Sequence, residues 1–225
     1  MKLKITKTLI ESWAYTFNCF EGYEEDAYND FLKTLNREGI EPTDAIKAGW
    51  EFENLCYRIA NGEKVVNEVL LDSVNPVTGE AYEIREYPRF YDGAKKVADI
   101  ITGAQFQVPV SCDLQVAGQD FWLYGICDAV KAGVIYDVKF RNKSLASDDV
   151  YGKYLDCSQH PLYLKALPEA FRFEYLVSDG TDLYVEKYNR QNSKPIEEHI
   201  MNFWAWLHTK PELMKIYQEK WVVDG

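Results

Sequence analysis

The chain has 225 residues, of which 47% are hydrophobic and 15% aromatic, and its formal net charge is −11. A chain of this size and composition can bury one substantial core, so a single domain over residues 1–225 is expected. The acidic balance argues against a protein that coats nucleic acid without specificity. The sequence has no apolar run of the ~18 residues needed to span a membrane, and residues 1–13 lack the apolar segment of a signal peptide. A cytoplasmic protein with no membrane partner is therefore expected.

The first part of the chain is predicted to be helical. Apolar spacing, helix-start residues and terminal glycines predict helices over residues 7–20, 29–39, 42–62, 63–74 and 87–105. In the third of these helices, the spacing predicts one broad apolar face made of Ile46, Trp50, Phe52, Leu55, Cys56 and Ile59.

After residue 105 the period of the apolar residues changes from helical to alternating. Three strands joined by tight turns are predicted over 106–116, 121–130 and 134–140. A helix over 151–167, strands over 171–178 and 182–189, and a helical tail over 195–221 that restarts at Pro211 complete the pattern. The order predicts an α/β (α+β) fold, with a mixed central β-sheet flanked by helices. A helical part of about 1–105 precedes a sheet with its helices at about 106–225.

Two of the predicted strands carry charged residues within apolar sequence: Asp128, Asp137 and Lys139. Asp137 and Lys139 are two residues apart, so their side chains leave the same face of a strand. Asp128 precedes the tight turn, which predicts that the two strands pair antiparallel. Two carboxylates and an ammonium at one sheet edge suit Mg²⁺ or Mn²⁺ binding and phosphodiester chemistry. The alternative is an exposed ion pair between Asp137 and Lys139 or Arg141.

Four short motifs in this region resemble those of a nuclease family. "GICD" (125–128) followed by "IYDVK" (135–139) resembles two motifs of the PD-(D/E)XK nuclease superfamily, in its RecB-like, lambda-exonuclease-like branch. "GWEFE" (49–53) resembles the helical first motif of that branch, and "QHPLY" (159–163) resembles its QxxxY motif. The motifs follow the family order between residues 49 and 163.

The resemblance implies a restriction-endonuclease-like core and assigns roles to individual residues. Glu53, Asp128 and Asp137 would be ligands of Mg²⁺ or Mn²⁺, together with the main-chain carbonyl of Val138. Lys139 would be the catalytic lysine. Glu51 is a competing candidate for the first motif, but two residues away on a helix it points elsewhere.

Further residues are expected to contact substrate. Gln159 and Tyr163, one helical turn apart, would face the site and contact substrate or the groups around the metal. The segment 139–144 carries three bases and no acid, so Arg141 and Lys143 are predicted to contact DNA phosphates on a globally acidic protein.

A subset of this branch holds an iron–sulfur cluster with one N-terminal and three C-terminal cysteines. Cys19 lies near the first of those positions, but no cysteine follows Cys157 in the sequence. No iron–sulfur cluster is therefore expected.

The function implied is a metal-dependent DNA nuclease, an exonuclease of the phage recombination or repair type, acting in the cytosol of a bacterium or of a phage-infected host. The alternative is a catalytically silent protein of the same fold that binds nucleic acid or protein as a regulator. DNA, single- or double-stranded, is the expected partner. The sequence has no Walker P-loop, so a helicase or recombination partner would be a separate protein. Oligomeric state, strand polarity and the choice between exo- and endonuclease stay open.

Overall fold

The computed structural model of the protein describes residues 1–39, 41–65, 67–74, 81–146 and 150–223. Within these ranges, seven strands form a mixed sheet in the order β8-β7-β6-β5-β1-β9, with β4 also paired to β5. These strands are β1 (Lys2–Thr6), β4 (Gln105–Val116), β5 (Gln119–Lys131), β6 (Val134–Phe140), β7 (Arg172–Ser178), β8 (Leu183–Tyr188) and β9 (Val222–Val223). The strands β2 (Asn67–Val74) and β3 (Ala81–Glu86) form a separate antiparallel pair.

Helices cover both faces of the main sheet. The described helices are α1 (Lys7–Asn18), α2 (Glu24–Leu35), α3 (Asp44–Ala60), α4 (Tyr91–Ile101), α5 (Gln159–Ala166), α6 (Ile196–His208) and α7 (Pro211–Lys220). Buried residues of α1, α2, α5, α6 and α7 share one hydrophobic cluster with the sheet, and these helices form the first layer. Buried residues of α3 and α4 share a second cluster on the other face, and these helices form the second layer.

Local sequence explains where two of these helices begin. The hydroxyl of Thr6 accepts a hydrogen bond from the N–H of Leu9 at 3.3 Å and caps α1 directly at the end of β1. Thr43 caps α3 in the same way through the N–H of Ile46. Side-chain caps satisfy N–H groups that have no partner within the helix. Strand β1 therefore passes straight into α1.

The long strand β5 has two different partners along one edge. Its residues 121–124 pair with β1 in parallel, and its residues 129–131 pair with β6 antiparallel. The turn between β5 and β6 is a two-residue hairpin in which Ala132 and Gly133 both have positive φ, 49° and 75°. This is the twist-compatible hairpin geometry, and it fixes the register of the two strands. Residues 125–128 lie in the interval where β1 and β6 diverge, and we call this interval the split.

At the split, β4 and β5 change the face on which they pack. Cys127 and Val108 pack with the first layer, whereas Ala129 and Phe106 pack with the second. Residues two apart in a regular strand point to the same face, so both strands turn over between these positions. The residue of β4 at the turning point is Gln107, whose φ of 51° is left-handed. The facing residue of β5 is Asp128, which therefore lies between the two layers.

The predicted fold class is confirmed, since a mixed sheet is flanked by helices and resembles a restriction-endonuclease core. The antiparallel pairing of the two acid-bearing strands is confirmed as well. The division at about residue 105 stays a prediction, although β1 already belongs to the main sheet. No described helix is long and apolar enough to cross a membrane.

Three local predictions were wrong. The helix predicted over 63–74 is instead strand β2, because its β-branched residues favour a strand when β3 is available as a partner. Strand β1 was not predicted, although its apolar residues Leu3 and Ile5 alternate with polar ones, because five residues before a strong helix signal are a short stretch from which to identify a strand. The helix predicted over 151–167 is confined to Gln159–Ala166, and residues 151–156 form turns.

Candidate active site

Asp137 lies on β6 at the split and is 2% exposed. The ammonium of Lys139 lies 2.5 Å from its Oδ2, and the side-chain amide of Gln159 on α5 donates to its Oδ1. The carboxylate is thus held from two sides, by an ammonium and by an amide N–H. The structure does not have the exposed ion pair that was the alternative interpretation, because Asp137 is buried.

Lys139 retains a positive charge in this environment. Burial alone would lower the pKa of its ammonium, but the carboxylates of Asp137 and Asp128 outweigh burial and raise the pKa above its usual value. The side chain is 27% exposed, so one side of it is open to solvent. A buried stem with a partly accessible ammonium suits a group that donates to a substrate.

Asp128 on β5 faces β6 across the split. Its Oδ2 accepts a hydrogen bond from the main-chain N–H of Val138 at 3.1 Å. Burial and then the neighbouring carboxylates of Asp137 and Glu53 raise the pKa of Asp128 to about 8. Like charges that crowd in this way favour protonation of one acid or neutralisation by a cation.

Glu53 reaches the same place from α3 in the second layer. The hydroxyl of Tyr57, one turn later, donates to its Oε1 at 2.6 Å, and the side-chain amide of Gln107 lies 3.5 Å from the same oxygen. The helix is anchored beside β6 by Phe52, whose ring lies 5.2 Å from that of Phe140. Glu51 is exposed on another side of α3, near Arg58 and Arg89.

The predicted apolar face of α3 is partly wrong. Phe52, Leu55 and Cys56 are buried, but Ile46 is 42% exposed and Trp50 is 58% exposed. At 3.6 residues per turn, Ile46 and Trp50 lie about 120° and about 160° around the helix axis from Phe52, so both side chains project away from the core. Trp50 therefore lies at the surface one turn before Glu53.

Gln159 and Tyr163 are both buried, at 3% and 5% exposure. Gln159 contacts Asp137, as described above, whereas the hydroxyl of Tyr163 donates to the main-chain carbonyl of Ile126 at 3.0 Å. Helix α5 thus holds the acid-bearing strands β5 and β6 through these two side chains. Arg141 is half-buried just after β6, and Lys143 is exposed two residues later.

Sequence reasoning missed Glu11 on α1. One of its carboxylate oxygens is buried, with no hydrogen-bond partner. Burial raises the pKa of Glu11, while the charges of Lys7 and Lys139 and the main-chain N–H of Gln159 favour its ionised form. Glu11 therefore lies beside the catalytic-lysine candidate on the side away from the sheet. No sequence motif includes Glu11, because helical spacing alone does not show which strand residue a helix side chain contacts.

The donor set fits a hard divalent cation better than a soft metal. Carboxylate oxygens from Glu53, Asp128 and Asp137 are the ligand type that Mg²⁺ and Mn²⁺ prefer, and no histidine lies among them. Among the described residues, no three acidic, histidine or cysteine side chains are close enough to enclose a metal by themselves. Mg²⁺ keeps several waters and needs only one or two carboxylates, so this open arrangement suits it.

Comparisons with known proteins give a limited result. No family model matches the chain, and no curated protein matches its sequence. The solved structures that match the chain include the following two. The crystal structure of SSO0001 has 12% sequence identity and a TM-score of 0.49, with 93% of this chain and 77% of that chain covered. The structure of LHK-Exo in complex with dAMP has 14% identity and a TM-score of 0.40, with 96% and 94% covered.

Proposed function

We propose that the chain is a metal-dependent nuclease that hydrolyses phosphodiester bonds of DNA. One observation carries the proposal: two acids from adjacent strands, one acid from α3 and a charged lysine converge at the split. A structural ion pair would explain Asp137 and Lys139, but it would not explain why Asp128 is placed beside the carboxylates of both Asp137 and Glu53. The order and spacing of the four motifs favour assignment to the PD-(D/E)XK nucleases.

Glu53, Asp128, Asp137 and the main-chain carbonyl of Val138 would hold Mg²⁺ or Mn²⁺. The cation would supply Lewis-acid stabilisation of the charge that develops on the phosphodiester. In its absence the three acids repel one another, which contributes to the raised pKa of Asp128. Binding of the cation therefore removes an electrostatic cost built into the fold.

Lys139 would act directly on the reacting groups. Its ammonium can donate to the attacking water or to a phosphate oxygen as negative charge develops there. Asp137 keeps the ammonium charged and fixes its direction through the 2.5 Å contact. Gln159 would orient Asp137, and Tyr163 would position β5 or contact substrate.

The exposed strip after β6 would bind the DNA backbone. Lys143 is exposed, and Arg141 emerges beside it, so phosphate contacts on this side would lead a strand into the split. Removing one phosphate-binding side chain should reduce the slope of log affinity against log salt by about one unit. An unchanged slope in Arg141→Ala/Lys143→Ala would place the groove elsewhere.

The decisive assay uses the purified protein with Mg²⁺ or Mn²⁺ against EDTA on linear duplex, circular duplex and single-stranded DNA. Cleavage of linear but not circular DNA would support the finer proposal of an exonuclease. Lys139→Met should keep metal binding but lose turnover by orders of magnitude, since the ammonium acts mainly in the transition state. Asp137→Asn should lose both.

The matched control is Lys187→Met, which removes a lysine from β8 where its ammonium lies 3.9 Å from Glu174. It should cleave DNA like the wild type. A wild-type protein that binds metal and DNA but cleaves none of the three DNA substrates would favour the silent regulator. In that case Lys139→Met would have no effect on any measured property.

A further inference from the structure

Trp50 is a large aromatic side chain exposed at the edge of the proposed active site. It is 58% exposed, on the helix that carries Glu53. Positions 50, 53 and 57 lie on one side of an α-helix, because residues three and four apart are neighbours. Trp50, Glu53 and Tyr57 therefore form a continuous row along α3.

This row borders an open pocket. The pocket is lined by Trp50, Glu53, Asn54, Tyr57 and Gln107. Glu53 links this pocket to the acid cluster, since its Oε1 lies 3.5 Å from the amide of Gln107, the residue of β4 that faces Asp128 on β5. The pocket and the split are therefore parts of one surface, with Glu53 between them.

Gln107, which lines the pocket together with Trp50, has a strained backbone conformation. Gln107 has a left-handed φ of 51°, which is uncommon for a residue with a side chain. Its amide nitrogen donates to the hydroxyl of Tyr57 at 3.2 Å and lies 3.5 Å from Glu53. Strain of this kind is kept where a side chain must be aimed. Here it directs an amide into the pocket next to the acids.

We propose that this pocket is a subsite for a nucleobase of the substrate strand, which stacks on Trp50 beside the phosphate held at the split. The proposal rests on the proposed nuclease function and adds a base-binding contact to it. The amide of Asn54 would offer a donor and an acceptor to the edge of the stacked base, and the amide of Gln107 would offer its oxygen as an acceptor.

The chemistry of the pocket favours a base over other occupants. The charged group among its five lining residues is the carboxylate of Glu53, which would repel a phosphate, so the anionic part of a nucleotide belongs in the split with the cation. A planar uncharged ring matches an exposed indole flanked by amides, and stacking of this kind tolerates any base. If a phosphate of the DNA strand is bound at the split, the adjacent nucleoside lies over α3, because Glu53 borders both the split and the pocket.

The test measures binding of single-stranded oligonucleotides with Ca²⁺ in place of Mg²⁺, and cleavage with Mg²⁺ in parallel. Trp50→Ala should weaken binding about tenfold, and Trp50→Phe should restore most of it, because a benzene ring still stacks. Oligonucleotides with one abasic nucleotide, moved stepwise along the strand, should reveal one position that weakens the wild type. Trp50→Ala should be insensitive to the abasic change at that position.

Phe171→Ala is the matched control, since Phe171 is 56% exposed next to Gly133 at the hairpin end of β6. It should bind like the wild type. If the wild type binds and cleaves DNA but Trp50→Ala equals it, the base subsite is overturned and the nuclease stands. If Trp50→Ala weakens intact and abasic strands equally at every position, stacking is overturned. A wild type that neither binds nor cleaves nucleic acid overturns both proposals.

Discussion

The ring of Tyr163 lies directly against the main chain of Gly125: a Cβ atom added to the glycine would come 2.1 Å from Cε1 of the tyrosine. The two residues are the first of "GICD" and the last of "QHPLY". Their contact explains why a motif on β5 has glycine where a motif on α5 has tyrosine. The hydroxyl of Tyr163 also donates a hydrogen bond to the carbonyl of Ile126. Together the two contacts set the distance between α5 and β5, and with it the position of Asp128.

Gly125→Ala should lower the free energy of unfolding by about 1–3 kcal/mol, the usual effect of overpacking a dense core. Tyr163 is an aromatic ring held by its hydroxyl, so it cannot yield as a flexible chain end would. Denaturant unfolding of the wild type and variant measures the difference. Adding Tyr163→Leu should recover part of the loss, giving a coupling between the two sites. Strict additivity of the two changes would show that the contact is not what requires glycine.

Uptake of a divalent cation near pH 7 should release about one proton. Asp128 has a pKa of about 8 in the metal-free protein, so it is mostly protonated at pH 7, and a metal ligand must be deprotonated. Titration calorimetry in buffers of different ionisation enthalpy counts the protons. Asp128→Asn should release none. Proton release that is the same at pH 6.5 and pH 9.5 would contradict the raised pKa.

The same pKa sets the pH dependence of stability without metal. The pKa of Asp128 is higher in the folded state than in the unfolded chain, so the unfolded state gives up its proton first as pH rises. The contribution of Asp128 to the free energy of unfolding is fully present below about pH 4 and is lost as the pH rises to about 8. Metal-free wild type should therefore melt at progressively lower temperature across this range. Asp128→Asn should show a flatter dependence, and saturating Mg²⁺ should flatten that of the wild type.

Glu53→Gln should weaken binding of Mg²⁺ or Mn²⁺ and reduce cleavage while the helix stays intact, because Gln is nearly isosteric and a good helix former. Thermal melting against metal concentration measures the affinity, since a cation at a hundred times its Kd adds about 2.7 kcal/mol to stability. Glu51→Gln is the control on the same helix and should bind metal like the wild type. The opposite ranking of the two variants would move the first motif to Glu51.

Strand periodicity was enough to predict how three charged residues of the candidate site are arranged. The spacing of Asp137 and Lys139 placed both on one face, and the hairpin before Val134 brought Asp128 opposite, so local rules determined this geometry. The predicted apolar face was wrong at Trp50, because residues two apart on an α-helix lie about 160° apart around its axis, so Trp50 points away from the buried Phe52.

Contacts between distant elements could not be predicted from the sequence. Strand β2 depends on pairing with β3, and its apolar run alone fits a short helix equally well. The proximity of Glu11 to Lys139 depends on how β1 leads into α1 at the split, and the short alternation of apolar residues in β1 does not show which strand it pairs with. The left-handed backbone of Gln107 is likewise invisible, since glutamine is not a residue that signals such a conformation.

Glu11→Gln should separate stability from activity. Burial raises the pKa of Glu11, so its ionised form at neutral pH is held at a cost to the fold, and the neutral amide removes that cost. The variant should therefore melt no lower than the wild type, with a gain that grows as pH rises through the raised pKa. Its kcat should nevertheless fall about tenfold, or ~1.4 kcal/mol of transition-state stabilisation, because Lys139 loses the carboxylate on its outer side. Metal affinity should stay unchanged, which distinguishes it from Glu53→Gln. Glu25→Gln on the exposed face of α2 is the control, and a Glu11→Gln variant that loses stability and activity together would show Glu11 to be a structural residue.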